Sequence, residues 1–371
     1  MSQQAEFTAA DAAFMARALR LAERGLCTTH PNPRVGCVIV RDGQVVGEGW
    51  HRQAGGPHAE IEALRVAGEL ARGAAAYVTL EPCCHHGRTP PCSDALIKAG
   101  INRVVAAMSD PNPRVGGKGL AQLAAVGIET GCGLMESEAE ALNAGFCKRM
   151  RSGWPWVVSK LAMSLDGRTA MASGESQWIT GPEARRDVHR LRARSSAVLT
   201  GIGTVLADDP SLTVRLQDEV LERQPVRIVL DSRLQMPVTA KLLQQPGRTL
   251  VLTCSERDLP RRPALIEAGA EVHCLPADES GRVDLPAMLD LFGRLEFNEV
   301  LVEAGATLNG ALLQTGCVDE WQVYQAPCIL GDRGRGLFHL PELSRMADRI
   351  ELALLESRKV GRDLRLRLRK V

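Results

Sequence analysis

Hydrophobic spacing changes character several times along the first 150 residues. Apolar side chains recur at helical spacing over residues 11–24, whereas residues 35–40 and 44–49 have strand patterns and flank Asp42-Gly43, a strong hairpin-turn pair. The other elements predicted here are helices over 59–70 and 136–146, a short helix after Cys92, and strands over 76–80 and 103–107. This alternation predicts a three-layer α/β domain whose sheet begins as a hairpin.

The second half of the chain also alternates between strand and helix patterns. Helices are predicted over residues 182–194 and 285–294, between several buried strands. Residues 364–369 alternate strictly between Leu and Arg, as expected for a half-exposed closing strand. The buried strands are predicted at residues 156–161, 197–200, 226–230, 249–253, 271–274, 299–302 and 320–324. The pattern predicts a second, mostly parallel α/β domain.

A polar stretch containing glycine and proline separates the two halves. It reads Arg151-Ser-Gly-Trp-Pro155 and immediately precedes a predicted strand. A chain of 371 residues is long enough for about two to three domains. We therefore place the boundary between residues 152 and 153, which gives domains over 1–152 and 153–371.

Composition narrows the class of protein. The chain is 45% hydrophobic and 24% charged, as in ordinary globular proteins, and its net charge of +1 provides no general attraction to nucleic acid. The first residues lack the pattern of a secretory signal, and no apolar run approaches the roughly 18 residues that span a bilayer. Its 11 cysteines are therefore expected to be reduced. We expect a cytoplasmic protein with neither a membrane nor a nucleic-acid partner.

Three side chains have the chemistry of a zinc site. His58 begins a predicted helix, Cys83 follows a predicted strand, and Cys92 begins the next helix. One imidazole and two thiolates suit Zn²⁺ and leave a fourth position for water, whose pKa zinc lowers to roughly 7. Glu60, two residues after His58, would move protons from this water to the substrate nitrogen and the departing ammonia.

The spacing of the cysteines leaves alternatives open. The order His-x-Glu, Pro-Cys, Cys is typical of zinc nucleobase deaminases, but their second pair is usually Cys-x-x-Cys, and here eight residues separate Cys83 from Cys92. Cys84, His85 and His86 lie in that interval as rival ligands. A purely structural zinc site would need a fourth protein ligand such as His85. The order of residues and the position of Glu60 favour the catalytic interpretation.

Phosphate-binding signals in the second half are weaker. Gly201-Ile-Gly203 is similar to a dinucleotide fingerprint, but Leu206 occupies the third glycine position. Residues 303–307 join a hydrophobic strand to a predicted helix, whose first N–H groups suit a pyrophosphate. Arginines in residues 183–194 and 208–215 offer cations for a sugar phosphate.

Several motifs in combination resemble the bifunctional deaminase/reductase family of riboflavin biosynthesis, whose zinc loop is similarly long. These motifs are residues 30–36 (HPNPRVG), 57–60 (PHAE), 81–92 (EPCCHHGRTPPC), 160–168 (KLAMSLDGR), 174–180 (GESQWIT), 204–210 (TVLADDP) and 302–306 (VEAGA). The resemblance implies a cytidine-deaminase-like N-terminal domain followed by a dihydrofolate-reductase-like C-terminal domain, assembled as a homo-oligomer (dimer or tetramer).

The same resemblance implies two consecutive reactions and their site residues. Zinc-dependent deamination of 2,5-diamino-6-(ribosylamino)-4(3H)-pyrimidinone 5'-phosphate precedes NADPH-dependent reduction of its ribosyl chain to ribityl. Lys160 and Asp208 are candidates for handling the reacting sugar carbon. Substrate contacts are expected at Ser176, Arg192, Leu212, Arg215 and Glu303, and Asn32 in the first half is a separate candidate for hydrogen-bonding the substrate. NADPH contacts are expected at Ala162, Trp178, Thr204, Asp208, Ser232, Gly305, Ala306, Thr307, Leu308, Asn309, Gly310 and Ala311.

Two other classes of function remain as competing hypotheses. A nucleic-acid deaminase, such as a tRNA-editing enzyme, is disfavoured by the near-neutral charge and by the lack of interleaved aromatic and basic residues. In a non-catalytic module stabilised by zinc, Glu60 would be dispensable.

Overall fold

The computed structural model of the chain describes residues 7–85, 90–113, 115–216, 223–254 and 261–371. The chain divides into two compact units, Met1–Gly153 and Trp154–Val371. This division lies one residue beyond the boundary predicted from the sequence. Within the described ranges, no helix is both long and apolar enough to cross a membrane.

The first unit is built around a five-stranded sheet in the order β2-β1-β3-β4-β5. Strand β1 is antiparallel to both β2 and β3, and the pairs β3–β4 and β4–β5 are parallel. Its strands are β1 (Gly36–Arg41), β2 (Gln44–Trp50), β3 (Ala75–Val78), β4 (Arg103–Ala106) and β5 (Glu129–Cys132). Its helices are α1 (Ala9–Ala22), α2 (Ala59–Ala67), α3 (Cys92–Ala99), α4 (Lys118–Ala125), α5 (Glu136–Leu142) and α6 (Ala144–Ser152).

Helices cover both faces of this sheet because successive strand residues face opposite sides. Cys37 and Ile39 of β1 pack in one cluster with α2, α3 and α4, and Val38 and Val40 pack in another with α1, α5 and α6. The predicted three-layer domain with its initial hairpin is confirmed. Helix α4 and strand β5 were missed: β5 is a short edge strand of Glu-Thr-Gly-Cys with no buried residue, so it has little hydrophobic signal.

Two glycines allow α2 to lie directly against β2. A Cβ atom at Gly47 would lie 2.3 Å from the Ala63 carbonyl oxygen, and one at Gly49 would lie 2.4 Å from that of Ala59. Any larger residue would push the helix away from the strand. The two glycines therefore fix the position of the first turn of α2.

A buried carboxylate joins α1 to the centre of the sheet. Asp11 accepts hydrogen bonds of 2.6 Å from both the Tyr77 hydroxyl and the Arg103 guanidinium, and it completes a capping box with Thr8. Burial opposes ionisation of Asp11, but the hydrogen bonds from Arg103, Tyr77 and Thr8 outweigh it and hold the pKa below its usual value. This carboxylate ties helix α1 to β3 and β4.

The second unit contains a nine-stranded sheet in the order β11-β10-β9-β8-β12-β6-β13-β16-β15. All neighbours from β11 to β13 are parallel, and β16 and β15 add an antiparallel hairpin. The strands in this sheet are β6 (Trp156–Met163), β8 (Ala197–Gly201), β9 (Val226–Leu230), β10 (Thr249–Thr253), β11 (Ala270–Cys274), β12 (Glu299–Val302), β13 (Glu320–Gln325), β15 (Leu352–Val360) and β16 (Asp363–Lys370), and a separate pair is formed by β7 (Arg168–Ala170) and β14 (Arg335–Gly336). Its helices are α7 (Pro182–Arg194), α8 (Ile202–Asp208), α9 (Arg261–Glu267), α10 (Leu285–Arg294) and α11 (Ala306–Gln314).

The parallel strands bring their carboxyl ends to one edge of the sheet, where α/β folds bind ligands. Helix α8 begins directly after β8, and α11 begins a short turn after β12. The alternating Leu-Arg tail forms β16, with Leu366 and Leu368 packed against the core. Its partner β15 was not predicted, because this edge strand exposes six of its nine residues and has no buried one.

We expect Asp11→Asn to destabilise the first unit by about 2 kcal/mol, because it leaves the charge of Arg103, whose side chain is 23% exposed, without its main partner. Amide hydrogen exchange in β3 and β4 should then be about 30-fold faster. Because the pKa of Asp11 is lower in the folded state, its stabilising effect is complete above about pH 4 and is progressively lost in more acidic solution. The difference in stability between wild type and Asp11→Asn therefore narrows at acidic pH. Glu140→Gln, which breaks an exposed ion pair with Arg151, is the matched control. Unchanged exchange in Asp11→Asn at neutral pH would contradict the assigned role.

Candidate active sites

Two helix N-termini and one loop bring three metal-ligand atoms together in the first unit. His58 is the N-cap of α2, Cys92 is the first residue of α3, and Cys83 lies on the loop before α3. The His58 Nδ1 atom is 3.2 Å from Cys92 Sγ and 3.6 Å from Cys83 Sγ, and all three atoms lie within 4.8 Å of one another. Tetrahedral zinc with ordinary bond lengths separates its nitrogen and sulfur ligands by about 3.6 Å. The three residues therefore fit a zinc ion.

Two of the three rival ligands do not join this cluster. In the described parts of the chain, Cys84 and His85 are not among the clustered ligand atoms, and His86 lies outside the described residues. The three ligands that the described residues provide leave one zinc position open to water or substrate, as in catalytic sites.

The polarity of the site favours the thiolate form of Cys83. A hydrogen bond from the Cys92 thiol lowers the pKa of Cys83, with help from the His58 imidazole and against the effect of burial, whereas the same hydrogen bond and burial raise the pKa of Cys92. The partial positive charge at the N-termini of α2 and α3 acts in the same direction. A thiolate is the form that binds zinc.

Glu60 lies beside the metal ligands without being one of them. It is in the first turn of α2, is only 3% exposed, and interacts with the Cys92 thiol. Burial raises the pKa of Glu60 to about 7. A carboxyl group with a pKa near neutrality can both accept and donate a proton at working pH.

Asn32 is held at the same site by a histidine. The His51 Nδ1 atom lies 2.9 Å from the Pro57 carbonyl oxygen, and its Nε2 atom lies 3.0 Å from the Asn32 amide nitrogen. Since Nδ1 must donate to the carbonyl and Nε2 must then accept, His51 is neutral, and burial also lowers its pKa. The His51 ring meets the His58 ring edge-on at 5.4 Å. Asn32 thus lies near the metal ligands with its carbonyl oxygen not used by His51.

Sequence reasoning missed Glu81, which anchors the loop carrying Cys83. Glu81 is 3% exposed. Its carboxylate accepts backbone N–H bonds of 2.8–3.2 Å from Asp110, Gly117, Gly119 and Leu120. Only Pro82 separates this anchor from Cys83. The sequence signal was an acidic residue immediately before Pro82-Cys83 and directly after a buried strand.

Three predicted residues of the second unit form one charged cluster. Arg192 of α7 makes a two-pronged ion pair with Glu303, with Nε–Oε1 at 2.5 Å and Nη2–Oε2 at 2.9 Å. Lys160 of β6 interacts with both side chains. Burial and the positive charge of Arg192 lower the pKa of Lys160, and the negative charge of Glu303 partly offsets them. Burial opposes the ionisation of Glu303, but Arg192 and Lys160 prevail and lower its pKa. The cluster therefore contains one carboxylate and two basic groups.

The other predicted substrate and cofactor residues occupy separate elements. Leu212 is buried with a φ of +51°, and Arg215, three residues later, is exposed. Ser176 and Trp178 lie on the loop before α7, and the exposed Trp178 ring stacks on Arg185 at 4.6 Å. Ala162 lies in β6 and Thr204 in α8, while the Ser232 hydroxyl, after β9, accepts a hydrogen bond from the Val283 N–H.

Two uncapped helices begin side by side and fit a dinucleotide. The N-caps of α8 and α11 are Gly201 and Gly305, and neither N-cap residue makes a side-chain capping bond. A Cβ atom at Gly305 would meet nothing within 4 Å, and one at Gly201 would meet only Leu308, at 3.8 Å, in the parts of the chain that are described. Free N–H groups with space around them are what a pyrophosphate requires. The geometry therefore fits a nicotinamide dinucleotide.

Asn309 and Gly310, two of the residues predicted to contact NADPH, face inward. The Asn309 side chain accepts from the Ser159 hydroxyl at 2.6 Å and donates to the Ala304 carbonyl at 2.8 Å. A Cβ atom at Gly310 would lie 2.1 Å from the His339 carbonyl oxygen. Both residues shape the turn and the packing of α11.

Asp208 stands apart from the Lys160 cluster. It is the exposed last residue of α8, and none of the hydrogen bonds or ion pairs among the described residues joins its side chain to Lys160, Arg192 or Glu303. Its predicted catalytic role remains a prediction.

Comparisons with known proteins identify the family. The RibD C-terminal domain matches residues 155–366, and the zinc-binding region of cytidine and deoxycytidylate deaminases matches residues 8–108. A riboflavin biosynthesis protein RibD from Escherichia coli K12 is 55% identical over 368 residues, which cover 96% of this chain and 99% of the relative. The chain belongs to the RibD family.

Solved structures agree with this assignment over the whole length. Acinetobacter baumannii RibD has a TM-score of 0.91 at 48% identity, with coverage of 98% of this chain and 99% of that one. A Thermotoga maritima structure described as a diaminohydroxyphosphoribosylaminopyrimidine deaminase/5-amino-6-(5-phosphoribosylamino)uracil reductase has a TM-score of 0.86 at 35% identity, with the same coverage of both chains.

The enzyme is a bifunctional deaminase and reductase of riboflavin biosynthesis, with a zinc-binding deaminase domain and a reductase domain that uses NADPH. The family, the fold class and the two activities expected from the sequence are confirmed.

Glu81→Gln should weaken zinc binding by about 10- to 100-fold, because the amide NH₂ meets backbone donors where the carboxylate accepted them and the Cys83 loop loosens. Zinc retained after dialysis against graded chelator measures the effect, and the reductase activity of the same chain reports folding. Glu69→Gln, on an exposed part of the same unit, is the control. Wild-type zinc retention in Glu81→Gln would show that the loop does not depend on this carboxylate.

Proposed function

We propose that the enzyme hydrolytically deaminates 2,5-diamino-6-(ribosylamino)-4(3H)-pyrimidinone 5'-phosphate and then reduces the ribosyl group to give 5-amino-6-(ribitylamino)uracil 5'-phosphate. Water replaces an amino group, which leaves as ammonia. In the second step the anomeric carbon accepts a hydride and the sugar-ring oxygen accepts a proton. The observation that carries the proposal is the convergence of His58, Cys83 and Cys92 beside Glu60. The Thermotoga maritima relative, named for the same pair of activities, supports it.

In the deaminase unit, Glu60 transfers the protons. When bound, zinc supplies the Lewis acidity that makes water nucleophilic at neutral pH. His58, Cys83 and Cys92 would hold the ion. Glu60 would take the two protons of the attacking water in turn, giving one to the pyrimidine nitrogen and the other to the amino group, which leaves as ammonia. Asn32 binds the pyrimidine: because its NH₂ group is used by His51, its carbonyl oxygen faces a substrate N–H.

In the reductase unit, the Lys160 cluster binds the sugar. Lys160 and Glu303 orient its hydroxyl groups near the reacting carbon, and Arg192 holds Glu303 ionised. When bound, NADPH supplies the hydride. Lys160 and Asp208 are assigned to proton handling, and Arg215, with Ser176 and Leu212, is assigned to the phosphate end of the substrate.

The NADPH contacts are assigned to the carboxyl edge of the parallel sheet. The exposed N–H groups at the start of α11 receive the pyrophosphate. The assigned residues are Ala162, Trp178, Thr204, Asp208, Ser232, Gly305, Ala306, Thr307, Leu308, Asn309, Gly310 and Ala311. Among residues 305–311, Asn309 and Gly310 contribute by shaping the start of α11.

We further infer that residues 1–152 form the pyrimidine deaminase domain and residues 153–371 the reductase domain. The enzyme works in the cytoplasm as a homo-oligomer, a dimer or a tetramer.

Glu60→Gln should abolish deamination by at least about 100-fold while retaining zinc, because the amide cannot exchange protons. Ammonia release measures the loss, and the zinc content shows that the metal remains. Reduction of pre-deaminated substrate by the same variant should be unchanged. Glu62→Gln, on the same helix, should behave like the wild type in all three measurements. Wild-type ammonia release from Glu60→Gln would remove Glu60 from the mechanism.

A further inference from the structure

A short segment of the second unit is held in place by side chains. Residues 212–215 follow the α8 loop without helix or strand structure, and none of them pairs with a strand in the described structure. Leu212 begins the segment in the left-handed region, with a φ of +51°. Backbone polar groups outside sheets and helices must find partners elsewhere.

Three side chains supply those partners. The Thr213 carbonyl accepts a bond of 2.8 Å from Arg192 Nη1. The Gln224 side chain makes two hydrogen bonds with the Val214 backbone: it accepts from the N–H at 2.8 Å and donates to the carbonyl at 3.4 Å. The Arg215 N–H donates to His189 Nδ1 at 3.2 Å. The segment is thereby attached to α7 at two points, three residues apart on one helix face.

His189 is in the form that this contact requires. It is half-buried on α7, and its Nδ1 atom must be unprotonated to accept the bond. Burial, together with the positive charges of Arg192 and Arg215, lowers the pKa of His189 to about 4. At working pH the imidazole is neutral and accepts through Nδ1.

Among the described residues, only backbone contacts position Arg215. The residue is exposed, and its guanidinium has no hydrogen bond or ion pair with any described residue. An exposed arginine loses considerable side-chain entropy when it binds an anion. Fixing its backbone reduces the remaining freedom and improves binding.

We propose that His189 is a positioning residue of the reductase: by holding the Arg215 N–H, it fixes the guanidinium that binds the phosphate monoester of the substrate. Gln224 acts in the same way at Val214. The inference rests on the proposed function, because Arg215 is assigned to the phosphate there.

The test compares His189→Leu with His189→Asn. Asparagine keeps an acceptor at the position of Nδ1, whereas leucine has similar bulk and no acceptor. With pre-deaminated, phosphorylated substrate, His189→Leu should raise KM about 3- to 10-fold, with kcat and the KM for NADPH within about twofold of wild type. His189→Asn should remain within about twofold of wild type.

A second arm uses the same substrate without its phosphate. The KM difference between wild type and His189→Leu should disappear, since no anion remains for Arg215 to bind. An equal KM increase for both substrates would overturn the proposal, as would an unchanged KM for the phosphorylated one. Gln224→Leu, expected to show the same pattern, replaces His189→Leu if that variant fails to fold.

Deaminase activity, measured on every variant, controls for the integrity of the chain. If the wild type reduces the substrate and His189→Leu matches it, the positioning role is wrong and the proposed function stands. If the wild type itself does not oxidise NADPH with this substrate, the proposed function fails and the role of His189 fails with it.

Discussion

The deaminase unit depends on two helices beginning at the same point. His58 at the start of α2 and Cys92 at the start of α3 place their ligand atoms 3.2 Å apart. This is possible only because Gly47 and Gly49 let α2 lie directly on β2. The partial positive charge of the two helix N-termini also favours the thiolate form of the neighbouring Cys83. Glu60 lies in the first turn of α2, so it cannot move independently of His58.

In the reductase unit, the parallel sheet positions the helix starts and the charged residues. Its strands end at one edge, where α8 and α11 begin at N-cap glycines that make no side-chain capping bond among the described residues. The acidic end of β12 would be unfavourable beside a sugar phosphate, but Arg192 neutralises Glu303 and also holds the Thr213 carbonyl. One guanidinium thus links the strand end to the 212–215 segment. Charge neutralisation and positioning are performed by the same side chain.

Sequence reasoning succeeded where chemistry is carried by side chains in local motifs. The types and order of His58, Cys83 and Cys92 predicted a zinc site, and the structure brings their ligand atoms within 4.8 Å of one another. The periodic strands predicted the two α/β units. It missed β5 and β15, whose exposed edge positions have little hydrophobic pattern. The contacts of Glu81 with four backbone N–H groups and of His189 with the Arg215 N–H were missed because both involve backbone groups. The Glu81 partners, for example, lie 29 to 39 residues away. Such contacts leave no periodicity and no motif spacing.

The central claim is that one chain performs zinc-dependent deamination and then NADPH-dependent reduction at separate sites. The most direct measurement follows ammonia release and NADPH absorbance together, with the diaminopyrimidinone ribosyl phosphate as the only substrate. The account predicts ammonia first and NADPH oxidation afterwards. It also predicts that zinc removal stops both signals and that pre-deaminated substrate restores only NADPH oxidation. Absence of ammonia release from fully metallated enzyme, or NADPH oxidation that precedes it, would contradict the account.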